Sequence, residues 1–218
     1  MAKIFHNRLG ILLMLGVAFA LVSCTGFPQG ISGSTVSVGL GGGTSLKQDY
    51  WGHRPGPKGF RTVIIDAGHG GRDSGATANG HQEKDLALDA AKLLKKELSG
   101  EFRVVLVRSR DKFVDLDRGV SLANRYSSAV LVSMHYNSSR SSRTRGPETY
   151  YWRVDSYSLA KRIQRNLTRA SHGRQRSLGL VRRRLRLTRN PSIPCVLVEL
   201  GYLSSGFRGT LVTQPSLS

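Results

Sequence analysis

Several residue types are scarce in this chain, and each shortage excludes a class of protein. The 218 residues include only two cysteines, Cys24 and Cys195, which stand far apart. That number excludes a disulfide-stapled miniprotein and a four-cysteine zinc site. Hydrophobic residues make up 39% of the chain, enough for a core but too little for a polytopic membrane protein. The 25 glycines follow no collagen-like period, so a fibrous protein is excluded as well.

Acidic residues are also scarce, with 14 Asp and Glu against 33 Lys and Arg and a formal net charge of +19. So basic a chain should attract polyanions: nucleic acid, an anionic membrane or an anionic cell-wall polymer. The most basic part is the segment 140–189, where Glu148 and Asp155 are the acids. It has no aromatic residue from 158 to 190 to stack on bases, which argues against nucleic acid. Attraction to wall glycans, peptide carboxylates or lipid headgroups remains open, and so does a solvated surface without a ligand.

The N-terminus has the pattern of an export signal. Basic residues open the chain, and an apolar run follows from 11 to 22, too short to span a bilayer core of about 30 Å. Leu21-Val22-Ser23-Cys24 resembles the end of a bacterial lipoprotein signal, after which the cysteine is lipidated. The alternative is an ordinary cleaved signal in which Cys24 is incidental. We expect an exported protein anchored to a membrane through Cys24, facing the periplasm or the cell wall, and in the outer membrane if the cell has one.

The rest of the chain divides into a tether and one domain. Residues 1–23 are the predicted lipoprotein signal peptide, and 24–58 are rich in Gly, Ser and Pro, which is typical of a flexible tether. Patterned sequence starts near Phe60, so the domain is predicted to cover 59–218. Apolar runs predict strands over 62–65, 103–107, 129–133, 148–152 (at an edge), 185–188 and 195–200, and helices over 83–98, 115–126 and 156–170. This alternation predicts an α/β domain with a mostly parallel mixed sheet flanked by helices.

Four potential ligands follow from this arrangement. His69 follows the first strand, His135 ends the third and Glu199 lies near the end of the last. In open α/β sheets, sites form beyond the carboxyl ends of the strands, so these three should meet at one edge. Glu83, at the start of the first helix, is a fourth candidate. Glu199 interrupts an apolar strand, so it must face a cation, a cleft or one of the many arginines.

Each candidate alone has a purely structural explanation, but together they favour a metal site. Two histidines and one carboxylate are a common catalytic zinc set that leaves one position open for water. Zinc lowers the pKa of that water to about 7, and a second carboxylate must then accept and return the proton. These residue types alone do not decide which of Glu83 and Glu199 is the ligand and which is the base.

One long motif makes the resemblance to a family specific. Residues 65–76, Ile-Asp-Ala-Gly-His-Gly-Gly-Arg-Asp-Ser-Gly-Ala, closely match the opening motif of the zinc-dependent N-acetylmuramoyl-L-alanine amidases that cut peptidoglycan. Further blocks resemble the family at 83–86, Arg108 with Asp111, 122–124, 133–137, 146–151 and 194–204. The resemblance runs from about 60 to 205, and its first and last blocks are the most specific.

The resemblance implies Zn²⁺ held by His69, Glu83 and His135, with Glu199 as the catalytic carboxylate. The reaction it implies is hydrolysis of the amide between N-acetylmuramic acid and L-alanine, in cell-wall remodelling or daughter-cell separation, with peptidoglycan as the partner. Some relatives carry a helical insert that plugs the site until a protein activator binds. The segment 152–186 is short for such an insert, so we expect open access and leave an activator as a further partner.

Three departures from the family pattern are present, and the third is the most serious. An arginine usual in the family would align with Gly119, but here it stands at Arg118, and Val107 replaces a usual threonine. Family domains also continue past the last strand into a helix that covers the sheet, and 206–218 do not have the pattern of one. A missing C-terminal helix makes a second reading necessary: a catalytically inactive, basic peptidoglycan-binding lipoprotein. A third is a protein that binds polyanions through charge alone.

Overall fold

The fold is a six-stranded sheet with helices on both faces. A computed structural model describes residues 59–170 and 178–204. The strands are β1 (Thr62–Ala67), β2 (Thr77–Ala78), β3 (His81–Gln82), β4 (Arg103–Leu106), β5 (Ala129–Asn137), β6 (Glu148–Tyr151), β7 (Gly179–Arg182) and β8 (Cys195–Tyr202). The helices are α1 (Glu83–Leu98), α2 (Leu116–Ala123), α3 (Tyr157–Ala170) and α4 (Arg186–Arg189), with a 3-10 turn at Val154–Ser156 before α3.

The order and direction of the strands determine which residues meet at one end of the sheet. The order is β4-β1-β5-β8-β6-β7, and β2 pairs with β3 in a separate hairpin. Strands β4, β1, β5 and β8 are parallel, whereas β6 is antiparallel to β8 and β7 is parallel to β6. The four parallel strands all finish at one end of the sheet, here called the carboxyl end, and all begin at the opposite amino end. The predicted mostly parallel mixed sheet is confirmed.

Alternating side chains of the central strands fill two cores. Val63 and Ile65 of β1 face the core beneath α1 and α3, while Ile64 faces the other core. On that second face, α2 and α4 contribute Val120 and Leu187. Both faces of a parallel sheet must be covered in this way, which is why its strands are near-continuous apolar runs.

Two strand predictions are wrong. Residues 185–188 are not a strand, because 186–189 form the short helix α4. The alternating Arg and Leu of this segment have the pattern of a strand. However, the adjacent residues Leu187 and Thr188 are both buried, whereas neighbours in a half-buried strand point to opposite faces. The segment 148–152 is not at an edge, because β6 lies between β8 and β7. The edge strand is β7, whose four residues give little hydrophobic pattern.

Part of the prediction concerns residues outside the described ranges. The signal peptide, lipidated Cys24, the tether and the expected lack of a terminal helix after Ser204 all lie there and stay predictions. Among the described residues, no helix has both the length and the apolar character needed to cross a bilayer.

Candidate active site

The site forms where β1 and β5 finish side by side at the carboxyl end. The Gly68 N–H donates to the Met134 carbonyl at 2.9 Å, and the chain then turns at His69 with a left-handed φ of 62°. A Cβ at Gly68 would lie 2.3 Å from Cε1 of His135. Glycine is therefore required here, because the His135 ring occupies the space that any side chain would need.

Three predicted ligands meet at this point. Nε2 of His69 lies 3.0 Å from one Glu83 oxygen, and Nδ1 of His135 lies 2.7 Å from the other. One ligand atom of each residue lies within 4.8 Å of the other two. The two imidazole rings stand edge to face, with centroids 5.0 Å apart. The two imidazole nitrogens and the carboxylate oxygen are thus brought together by the ends of β1 and β5 and the start of α1.

Backbone and side-chain contacts fix the orientation of each donor. The Glu83 carboxylate accepts hydrogen bonds from the N–H groups of Ala76 and Tyr136, at 2.9 and 3.1 Å. The second ring nitrogen of His69 contacts a carboxylate oxygen of Asp73 at 2.9 Å. A carboxylate on the far nitrogen of a ligand histidine is the usual way to hold its ring and tautomer. The long motif includes Asp73, but the sequence alone assigns it no role.

The electrostatics of this cluster suit a cation. Burial alone would raise the pKa of Glu83, but contacts with His135 and His69 hold that pKa far below its ordinary value. The hydrogen bond with Glu83 raises the pKa of His69 to about 9, against the opposing effect of burial. Burial lowers the pKa of His135, but its contact with Glu83 and the charge of Glu199 produce a net rise. Two imidazoles that attract protons this strongly, beside an ionised carboxylate, are a donor set that fits Zn²⁺.

Glu199 stands next to this cluster without joining it. On β8, it is in register with His135 of β5 and Glu148 of β6. Its Oε2 is buried and accepts no hydrogen bond from any described residue, and the ion pairs of the described chain do not include it. Burial, reinforced by the charges of Glu83 and Glu148 and opposed by that of His135, raises the pKa of Glu199 to about 7. The salt bridge considered from the sequence is therefore not formed with a described arginine.

Glu148 has a hydrogen-bonded position of its own. The Tyr150 hydroxyl donates to its Oε2 at 2.6 Å, and the Tyr202 hydroxyl lies 3.4 Å from the same oxygen. The amide of Asn137 donates to the Tyr202 hydroxyl at 3.2 Å. Sequence reasoning missed this group, because only the antiparallel register of β6 on β8 places Glu148 beside Glu199.

A buried arginine ties together the two segments that carry His69 and Glu83. Arg108, 2% exposed, donates from Nε to the Ala67 carbonyl at 2.9 Å. Its Nη2 donates to the Gly68 carbonyl at 2.9 Å and to the Lys84 carbonyl at 2.7 Å. These carbonyls belong to the turn before His69 and to the residue after Glu83. The sequence singled out Arg108 only as part of a motif block, because nothing local shows which carbonyls it reaches.

An open cavity of about 440 Å³ lies beside the histidines. Its lining includes Asp66, Gly68, His69 and His135, together with Leu131, Leu187 and Leu197 of the second core. A cavity lined by apolar side chains and a few polar groups is typical of a site for an organic substrate.

The fold and this donor set define a class: an α/β domain with a His-Glu-His group that could hold a metal ion at the carboxyl end of its sheet. The sequence family can then be named. The family model for N-acetylmuramoyl-L-alanine amidase (Amidase_3) matches residues 63–216, so the chain belongs to this family. The resemblance inferred from the long motif is confirmed.

Individual relatives agree with this assignment. The chain is 34% identical over 158 residues to the N-acetylmuramoyl-L-alanine amidase LytC of Bacillus subtilis, covering 70% of this chain and 32% of LytC. It is 34% identical over 164 residues to the endolysin of Bacillus phage SPP1, covering 72% and 60%. The chain therefore spans less than two thirds of either relative. The catalytic domain of CwlV, an N-acetylmuramoyl-L-alanine amidase from Bacillus (Paenibacillus) polymyxa, superposes with a TM-score of 0.61 at 35% identity, covering 67% of this chain and 83% of that domain.

Proposed function

We propose that this protein is a zinc-dependent hydrolase of the amide bond between N-acetylmuramic acid and L-alanine in peptidoglycan, acting in cell-wall remodelling or daughter-cell separation. The observation that carries the proposal is the convergence of His69, Glu83 and His135 within 4.8 Å, beside the separate, half-buried carboxylate of Glu199, in a chain of the amidase family. In this reading the three residues hold the metal and Glu199 performs the proton transfers.

The chain's own residues divide the chemistry between them. One imidazole nitrogen from each histidine and one oxygen of Glu83 would hold Zn²⁺, and Asp73 would keep His69 oriented. When bound, zinc supplies Lewis-acid polarisation of the scissile carbonyl and makes a water acidic enough to react near neutral pH. Arg108 keeps the two ligand-bearing segments in register through the carbonyls of Gly68 and Lys84.

Glu199 has the properties that a combined base and acid needs. Its Oε2 is without a hydrogen-bond partner among the described residues, so no other group competes for the proton that it would take from the attacking water. The same oxygen would return that proton to the alanine nitrogen as the amide breaks. In the metal-free protein its pKa is raised to about 7, and a carboxyl group with a pKa near the working pH can both accept and return a proton.

Location is a further part of the proposal. We infer export and lipid attachment at Cys24, with residues 24–58 as the tether that lets the domain reach peptidoglycan. Mass spectrometry of protein extracted from cell membranes tests this directly. A diacylglycerol adduct on Cys24 as the first residue is expected, and an unmodified chain cleaved elsewhere would refute it.

A test of the activity compares the full chain with two carboxamide variants. Bound zinc is quantified per chain, and release of stem peptides from purified peptidoglycan is measured with and without a chelator. Glu199→Gln should keep its zinc and lose about 10²- to 10⁴-fold in rate, the usual contribution of a general base. The control Glu101→Gln changes an exposed carboxylate at the amino end and should retain full activity.

Two outcomes would contradict the proposal. If Glu199→Gln releases stem peptides as fast as the native chain, Glu199 is not the proton-transfer residue. If the native chain binds peptidoglycan but releases nothing, with or without added zinc, the non-catalytic wall-binding reading is correct. If the chain binds peptidoglycan equally well with and without the chelator and releases no stem peptide, the result supports a protein that binds polyanions through charge alone.

A further inference from the structure

The two ends of the sheet differ in charge. At the carboxyl end, acids of the site and of the nearby loops, such as Asp111 and Asp115, mix with basic residues. At the amino end most of the exposed charged residues are basic. The structure describes there Arg61, Arg103, Arg125, Arg183, Arg184 and Arg189, all exposed.

Backbone contacts establish that these arginines share one end. The Arg103 N–H donates to the Arg61 carbonyl at 3.0 Å, where β4 and β1 begin. Arg125 lies between the end of α2 and the start of β5. Arg183 follows β7 at the end where β6 also finishes, and its N–H donates to the Tyr151 carbonyl at 2.8 Å. Because neighbouring strands are about 4.8 Å apart, the basic groups extend across the full width of the six-stranded sheet.

Little at this end neutralises these charges. The acids described there are Glu97 and Glu101 beside β4, and Asp155, which pairs with buried Arg153. None of the six exposed arginines forms an ion pair with a described carboxylate. Arg103 lies over the Tyr126 ring at 5.3 Å, a contact that leaves its charge intact.

We propose that the amino end of the sheet is a docking surface for an anionic phospholipid bilayer, and that docking turns the candidate active site away from the membrane. A cationic surface as broad as the sheet fits a plane of headgroup phosphates better than a discrete ligand. The described chain also starts at this end, at Gly59 and Phe60, and Phe60 stacks on Phe102 at 5.3 Å. Residues 1–58, with the predicted lipid site, therefore join the domain on the same side as the basic surface.

This inference does not depend on hydrolysis, because vesicle binding can be measured without a substrate. It adds an orientation to the proposed function: lipid at Cys24 would keep the domain near the membrane, and the amino end would face the headgroups. The carboxyl end, with His69 and His135, would then be directed toward the wall.

The test uses the full chain with Cys24→Ser, so that no lipid can be attached. Its partition is measured onto vesicles of phosphatidylglycerol and phosphatidylcholine, and onto phosphatidylcholine alone. The first variant changes Arg125, Arg183 and Arg184 to Gln at the amino end. A matched variant changes Arg140, Arg143 and Arg145 to Gln in the exposed loop at the carboxyl end, so both variants lose three charges.

The amino-end variant should bind anionic vesicles about 100-fold more weakly, because each basic residue at such a surface contributes about fivefold. The carboxyl-end variant should stay within about threefold of the parent, and replacing the amino-end arginines with Lys instead should preserve binding. Far-ultraviolet circular dichroism confirms that each variant folds.

Three results would overturn the proposal. Equal weakening by both glutamine variants would show that total charge, not this surface, controls binding. Equal partition onto phosphatidylcholine alone would show that the apolar run at 11–22 controls it. Loss of binding to isolated cell walls without any loss on vesicles would identify the partner as a wall polymer instead of a lipid.

Discussion

Gly75 allows the most direct test of how the candidate metal centre is assembled. It has a left-handed φ of 62°, and a Cβ there would lie 2.5 Å from Cδ2 of His69 and 2.6 Å from Oε2 of Glu83. Gly80, in the turn between β2 and β3, has a similar φ of 76°, but a Cβ there would meet no described atom within 4 Å. Changing each to Ala applies the same backbone strain, and only one of the two changes pushes on the ligands.

The expected magnitudes differ for that reason. A left-handed alanine costs about 1–2 kcal/mol, which is the whole effect expected for Gly80→Ala. In Gly75→Ala, an ordinary contact distance requires His69 and Glu83 to move by about 1 Å, which disrupts their mutual contact and the Ala76 hydrogen bond at about 1–3 kcal/mol each. The sum is about 3–8 kcal/mol. Metal–ligand distances tolerate only about 0.2 Å, so zinc affinity should fall by about 100-fold or more.

The measurements are urea unfolding of the metal-free protein and zinc affinity by competition with a chromogenic chelator. Gly80→Ala should bind zinc within about threefold of the native chain despite its lower stability. If Gly75→Ala also binds zinc normally, the three ligands are not arranged around a metal as proposed. If both variants lose zinc equally, general loss of folding explains the result and the reasoning from the contact distances fails.

Three further predictions follow from buried groups. Arg108→Met removes the charged donors that reach four carbonyls and should destabilise the domain by about 3–5 kcal/mol in thermal unfolding. Arg110→Met, at an exposed position, should change the stability by less than about 0.5 kcal/mol, and similar losses for both variants would contradict the role of Arg108. The pKa of Glu199 rises from 4.5 to about 7 on folding. Between these two pH values the folded metal-free protein keeps a proton on Glu199 that the unfolded chain has released. The free energy of unfolding therefore falls as the pH rises from 4.5 to about 7. In chelator, Glu199→Gln should therefore be more stable than the native chain by about 3 kcal/mol at pH 8 and nearly equal to it near pH 4.5. Parallel stability curves would argue against the raised pKa of Glu199. Burial raises the pKa of the Cys195 thiol well above its ordinary value. A Cys24→Ser variant should therefore not react with an aromatic disulfide reagent at pH 8 until guanidinium unfolds it. Rapid reaction of the folded variant would refute this.

The order and direction of the elements could be predicted from the sequence where the local pattern is strong. Helix 83–98 agrees at both ends, since its apolar stripe is regular and Lys95 and Lys96 stand in its last turn. Strand β7 was missed because two apolar residues among glycine and arginines have no period to detect. The β2–β3 hairpin left a usable signal, the Asn79-Gly80 pair, whose positive φ values of 51° and 76° are those of a tight hairpin turn.

The site could be predicted as a set of residues but not as a division of roles. Strand ends identify His69, His135 and Glu199 because parallel strands finish together, and that topology follows from the pattern of the elements. The sequence did not distinguish Glu83 from Glu199 by chemistry, since both are single glutamates near the same edge. Their environments differ: Glu83 has contacts with two imidazoles and two backbone N–H groups and a lowered pKa, whereas Glu199, whose Oε2 has no described partner, has a raised pKa. Two carboxylates with pKa values driven apart are the arrangement expected of a ligand and a base. The assignment therefore depends on tertiary contacts such as Tyr136 N–H to Glu83, 53 residues apart in sequence, which no local pattern can reveal.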